Sequence, residues 1–227
     1  MLKTELHAHT DADPADLIDH SIQDLIDRAV ALGYGALAVT LHDRYFDPAP
    51  YDAYAKERGL VLIAGIERTI QRRHVLLINF PPASADVRGF DDVASLKSTH
   101  AHGLVVAPHP FYPTPSALGR LADRNAALID AVEINAMYTR YLDFNRRAIR
   151  WAHAHGKPLV GNTDLHLLAQ MGTTYSLVDA APNADAVCDA IRAGRVSVRT
   201  EPLSTVSAAT LFTAMCWGGL KGRLGRR

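Results

Sequence analysis

The sequence predicts an α/β fold, either a β/α barrel or an open doubly wound sheet. Short apolar runs alternate with longer amphipathic stretches. Runs such as Leu104-Val105-Val106-Ala107 and Val61-Leu62-Ile63-Ala64 are apolar throughout, as in parallel strands buried on both faces. Several amphipathic stretches also stop at a glycine. Strands are expected at 4–8, 36–40, 61–64, 74–79, 104–107, 131–135 and 159–161, with a further one at 176–178 or 196–198. Helices are expected at 17–32, 51–58, 90–102, 116–124, 141–155 and 184–193. Gly33, Gly103, Gly156 and Gly194 lie at the ends of four of them, where the left-handed conformation favours a residue without a Cβ.

At 227 residues and 48% hydrophobic, the chain can fill one core. Residues 1–203 read as one catalytic domain and 204–227 as a C-terminal tail. Lys plus Arg, 24, equal Asp plus Glu, 24, so there is no general basic field and no strong nucleic-acid signature. Cys188 and Cys216 are far apart and form no disulfide framework, and the opening Met1–Glu5 lacks an apolar signal segment; both point to the cytoplasm. Leu211–Leu220 is apolar-rich and is followed by Lys221, Arg223, Arg226 and Arg227. It falls short of the roughly 20 residues that span a bilayer, and reads as a packing helix or a weak membrane contact. No Walker or Rossmann glycine loop is present, which argues against ATP or NAD.

Histidines and acids gather at the C-terminal ends of the expected strands. His7 and His9 follow the first, with Asp11 and Asp13 just after; His42 and Asp43 follow the second. Glu67 follows the third, His74 opens the fourth, and His109 follows the fifth. Glu133 and Asn135 end the sixth, and Asn162, Asp164 and His166 follow the seventh. In a β/α barrel these ends share one face. Imidazoles with carboxylates suit Zn²⁺, Mn²⁺ or Fe, and six histidines with three carboxylates exceed one ion's needs, so two or three ions are expected. His100/His102 and His153/His155 have the spacing of His7/His9, but near helix ends that spacing turns the side chains about 200° apart. Those four and His20 read as structural or solvent-exposed.

The segments Glu5-Leu6-His7-Ala8-His9-Thr10, Ala38–Asp43, Gly65-Ile66-Glu67, His74–Phe80, Ala107-Pro108-His109-Pro110, Val132–Asn135 and Gly161–His166 run in one order over residues 1 to about 200. In that order they resemble the PHP (polymerase and histidinol phosphatase) family. The resemblance implies a distorted seven-stranded, TIM-like barrel and hydrolysis of a phosphate ester by a metal-bridging hydroxide. By motif position, His7, His9, Glu67 and Asp164 would hold one ion, Glu67 with His74 and His109 a second, and Asp13, His42 and His166 a third. Glu67, His42 and Asp164 are the residues expected to take part in the reaction. Leu41 stands where the family commonly has an acid, and the loop after His9 is one residue short, so Asp11 competes with Asp13.

Arg44, Arg68 and Arg140 are candidates to bind the phosphate, with Asn135 beside them. The expected substrate is a small phosphorylated molecule or a nucleotide. Two other readings compete: an amide or lactone hydrolase of amidohydrolase type, for which no lysine stands at a strand end to bridge the metals, and a metal-stabilised binding domain without activity.

Overall fold

A computed structural model describes residues 1–213. Its strands are β1 (Leu2–Glu5), β2 (Ala36–Ala38), β3 (Val61–Ile63), β4 (Gly65–Ile70), β5 (Arg73–Ile78), β6 (Leu104–Ala107), β7 (Ala131–Asn135), β8 (Leu159–Asn162), β9 (Thr174–Val178) and β10 (Val196–Thr200). The α-helices are α1 (Ile22–Ala31), α2 (Asp52–Glu57), α3 (Phe90–Thr99), α4 (Arg120–Arg124), α5 (Asn145–Ala154) and α6 (Ala184–Arg192).

The strands form two mixed five-stranded sheets, ordered β10-β9-β1-β2-β3 and β4-β5-β6-β7-β8. This corrects the closed seven-stranded barrel implied by the resemblance; the fold is α/β. Apolar strands suggested parallel pairing, and β1-β2-β3 and β6-β7-β8 do pair that way. However, β4-β5-β6 and β1-β9-β10 pair antiparallel. Among the described residues no strand ladder joins the sheets; isolated bridges do, Ala8 with Leu165, His42 with Glu67, and Phe46 with Gly65.

Element ends follow local chemistry. The helix expected from Leu17 begins at Ile22, because Ser21 caps it in a reciprocal pair with Asp24. Residues 65–73, for which no strand or helix was expected, hold β4 and the turn of a β4–β5 hairpin. Its turn residues Gln71 and Arg72 have φ of 50° and 66°, the left-handed conformation a tight hairpin turn demands.

Three apolar clusters hold the sheets. One, including Leu6, Ala38, Ile63, Leu76, Val106 and Val160, draws on both sheets and is closed by Val187 and Ile191 of α6. A second packs β4–β7 against α3, α4 and α5. The third packs α1 and α2 on β2 and β3 and includes Leu41. Leu41 is 2% exposed and spends its side chain on packing.

At Gly161 the sheets nearly touch: a Cβ there would lie 2.8 Å from the Tyr175 carbonyl oxygen and 2.9 Å from Val198. The Ser176 hydroxyl accepts from the Gly161 N–H at 2.9 Å and donates to its carbonyl at 3.2 Å. Gly161→Ala is expected to cost about 1–3 kcal/mol, since backbone cannot move aside as a side chain does. Urea unfolding would read this as a lowered midpoint; an unchanged midpoint would refute the close approach.

The calls for the tail fall mostly on residues outside those described, Cys216 among them. Residues 205–213 are helical. Among the described residues no helix is long and apolar enough to cross a membrane.

Candidate metal centre

His7 and His9 lie just beyond β1, on an extended segment held from both sides. His9 N–H donates to Leu165 O, Leu165 N–H to His7 O, and Thr40 N–H to Ala8 O. The two-residue period of extended backbone sends both rings to the same side. The His42 segment is tied to β4 in the same manner, with Asp43 N–H donating to Glu67 O and Glu67 N–H to Leu41 O. That register places the Glu67 carboxylate amid the imidazoles. His109 and Asp164 take φ of 29° and 51°, strained for residues with a side chain.

Glu67 is 1% exposed. Its oxygens lie 3.4 Å from His7 Nε2, 3.5 Å from His9 Nε2, 3.1 Å from His42 Nε2, 2.6 Å from His74 Nδ1 and 3.5 Å from His109 Nε2. Asp164 lies 3.3 Å from His7 Nε2 and 3.5 Å from His9 Nε2. Neither Nε2, nor either Glu67 oxygen, has a hydrogen-bond partner, although all are buried. Leaving such groups unpaired is costly. Metal–ligand bonds of about 2.0–2.2 Å at roughly 90–110° put neighbouring donors about 3.0–3.6 Å apart. Most of these separations match the edges of a coordination polyhedron better than hydrogen bonds, and the donor set suits a transition metal. Two groupings around this centre, His7–His9–Glu67 and His7–His109–Asp164, bring ligand atoms within 4.8 Å of one another.

A second ring of carboxylates holds the far side of the imidazoles. Glu133, fully buried, accepts from His7 Nδ1 at 2.8 Å, Asn162 Nδ2 at 3.2 Å, His109 N–H at 3.1 Å and Asn135 Nδ2 at 3.0 Å. Asp13 accepts from His9 Nδ1 at 2.8 Å and His42 Nδ1 at 3.0 Å. Holding Nδ1 as the donor leaves Nε2 free to face a metal. Glu5 accepts from the backbone of Leu6, His7 and Thr163 and from the Thr163 hydroxyl. Burial outweighs those donors and pushes its carboxyl up to about 8.

Charge coupling dominates the rest. Burial opposes a charged His7, but Asp164, Glu133 and Glu67 raise its pKa well above the ordinary value. Burial likewise opposes ionisation of Glu67, yet His7, His74 and His42 carry it well below the carboxylate range.

His166 sits at the mouth, its Nδ1 2.9 Å from Asp164 O. Asp11 is exposed and donates its N–H to His20 O. His20 bonds His9 O, His102 pairs with Asp189, and His100 and His155 bond carbonyls of their own helices. A cavity of about 250 Å³ opens over the site, lined by His42, Glu67, His74, His109, Asp164 and His166 and faced by Tyr112, Thr114, Ser116, Asn135, Met137 and Phe212. Arg44 is exposed and donates to Ala12 O; Arg68 bonds Asp43 and Val87 O; Arg140 borders a separate hollow with Leu203. No Arg or Lys lines the cavity among the described residues. A larger hollow of about 550 Å³ between α5, α6, β8 and β10 has no carboxylate in its lining, so it offers no comparable ligand set.

Residues 143–196 match the family model described as PHP-associated, PHP_C. That match spans about a quarter of the chain, 54 of its 227 residues. No curated protein matches the sequence. The fold is similar to that of a two-domain protein from Bacteroides vulgatus containing a predicted PHP-like metal-dependent phosphoesterase, at TM-score 0.68 and 17% identity over 95% of this chain and 70% of that one. It is similar to PsfC from Pseudomonas syringae, at TM-score 0.63 and 15% identity over 97% and 98%. It also resembles the lesion-specific endonuclease PfuEndoQ from Pyrococcus furiosus, at TM-score 0.57 and 16% identity over 87% and 57%. The PHP_C match covers α5, β8, β9 and α6, and so includes Asp164 and His166.

Spacing in the sequence did not reveal the holding roles of Glu133, Glu5 and Asp13; a buried acid beside a strand-end histidine is the signal that would have. Glu133→Ala is expected to destabilise the metal-free protein by about 3 kcal/mol or more, because His7 and three other donors lose their acceptor. Guanidinium denaturation measures it, and a loss below about 1 kcal/mol would show that Glu133 does not anchor the site.

Proposed function

We propose that this protein is a phosphoesterase of the PHP type, hydrolysing a phosphate ester at a centre of two or three divalent transition metal ions. The observation that carries the reading is the buried, unpartnered set of His7 Nε2, His9 Nε2 and both Glu67 oxygens, with Asp164 beside it. His7, His9, Glu67 and Asp164 would hold one ion, and Glu67, His74 and His109 a second. Bound there, the ions supply Lewis acidity and make water a nucleophile near neutral pH.

The chain's own residues do the rest. Glu133 and Asp13 keep the imidazole Nδ1 atoms as donors. The Tyr112, Ser116, Asn135 and Met137 side of the cavity takes the organic part of the ester. With no arginine or lysine in the lining among the described residues, the metal centre would meet the phosphoryl charge. Nucleic acid belongs among the candidate esters, since a structural neighbour is an endonuclease and balanced net charge does not exclude a DNA backbone. Against the amidohydrolase reading, Glu67 occupies the centre and no lysine lines the cavity among the described residues.

Chelation, or His7→Ala, is expected to lower hydrolysis of a chromogenic phosphate mono- or diester by about 10²-fold or more. Activity retained in both would overturn the reading.

Metal binding is expected to release protons. Burial lowers the His42 pKa, but Glu67 and Asp13 outweigh it and raise it to about 9 from 6.5. In the metal-free protein the His42 proton therefore stays bound at neutral pH and is lost only as pH rises through about 9. Metal must displace it, so affinity should rise with pH over that window. Calorimetry in buffers of different ionisation enthalpy reads the released protons; pH-independent affinity would count against the imidazole ligands.

A further inference from the structure

The family resemblance implies an outer ion held by Asp13, or Asp11 in its place, with His42 and His166. The lone pairs of Asp13 are already committed. Oδ1 accepts from Ala15 N–H at 2.7 Å and Asp16 N–H at 3.2 Å. Oδ2 accepts from His9 Nδ1 at 2.8 Å, His42 N–H at 2.9 Å and His42 Nδ1 at 3.0 Å. Five donors on two oxygens, which together offer about four lone-pair sites, leave none for a cation. A neighbouring carboxylate is placed differently. Asp16 Oδ2 lies 3.2 Å from His166 Nε2 and 3.9 Å from His42 Nδ1, and the Asp16 side chain is 28% exposed at the mouth of the site. Neither Asp16 oxygen accepts from any backbone N–H among the described bonds. His166 is fixed for this task, because its Nδ1 is held against Asp164 O at 2.9 Å, which turns Nε2 outward to Asp16. Ligand atoms of His9, His42 and His166 lie within 4.8 Å of one another, those of Asp16, Asp13 and His42 do likewise, and His9 Nε2 is buried without a partner.

We propose that Asp16, rather than Asp13, supplies the carboxylate ligand of the outermost cation, paired with His166 Nε2, and that Asp13 is a positioning residue for His9 and His42. The inference rests on the metal-centre reading above. Without metal the two are hydrogen-bonded at 3.2 Å; a cation between them would replace that bond at a similar separation of its two ligand atoms. Being at the mouth, this cation is the most weakly held and the first to exchange.

The test is Zn²⁺ titration of the chelator-stripped full chain, by calorimetry with elemental analysis of bound metal, for the wild type, Asp16→Ala, Asp16→Asn and Asp13→Asn. Asp16→Ala and Asp16→Asn should each lose the weakest ion, or bind it at least roughly 100-fold less tightly, with the tighter ions and the melting temperature of the stripped protein unchanged. Asp13→Asn should lower that melting temperature and weaken the tighter ions together. If both Asp16 variants bind every ion as the wild type does, the proposal fails while the metal-centre reading stands. If Asp13→Asn alone loses one ion selectively, the roles are reversed. If the wild type binds no Zn²⁺, both fail.

Discussion

A carboxylate taken out of water must be matched by opposite charge or a cation, or it destabilises the fold by several kcal/mol. Glu67, 1% exposed, is the extreme case here, with imidazole nitrogens of five histidines within 3.5 Å. Those histidines come from four places: the segment beyond β1, the segment beyond β2, the start of β5 and the loop after β6. Much of the backbone around them makes that convergence possible. The β4–β5 hairpin carries Glu67 inward and brings His74 opposite Thr69, two residues along. The Leu41–Glu67 and Asp43–Glu67 backbone bonds lock the register.

Around this centre the carboxylates divide their labour. Glu67 and Asp164 face the Nε2 atoms, and Asp13 and Glu133 hold the Nδ1 atoms of His9, His42 and His7. Glu5 stands apart, binding three backbone amides where β1 meets the loop after β8. The same residue type thus does three jobs, and which job follows from what each oxygen faces.

Much of this was legible in the sequence. Two-residue spacing at His7/His9 and strand-end placement of His42, His109, Asp164 and His166 follow from backbone periodicity, which sequence carries directly. The β4 strand was not legible: Glu67, Arg68 and Thr69 interrupt its apolar pattern, and its turn uses Gln71 and Arg72 rather than the glycine or asparagine that would mark one. Sheet partition was not legible either, because pairing β1 with β9 is a choice across more than 170 residues that apolarity alone does not decide. The occupied lone pairs of Asp13 depend on His42, 29 residues away. The arginines were read by nearness in sequence to the motifs, whereas Arg68 is engaged by Asp43 and Val87 O.

The partition into two sheets has a consequence for how this protein lives and dies. His7, His9 and His42 extend from one sheet, while Glu67, His74, His109, Asp164 and His166 belong to the other. Any cation shared across that seam is a removable rivet, so the free energy of folding contains the chemical potential of the metal. With such a cation bound, pulling the two sheets apart would also mean giving up the metal.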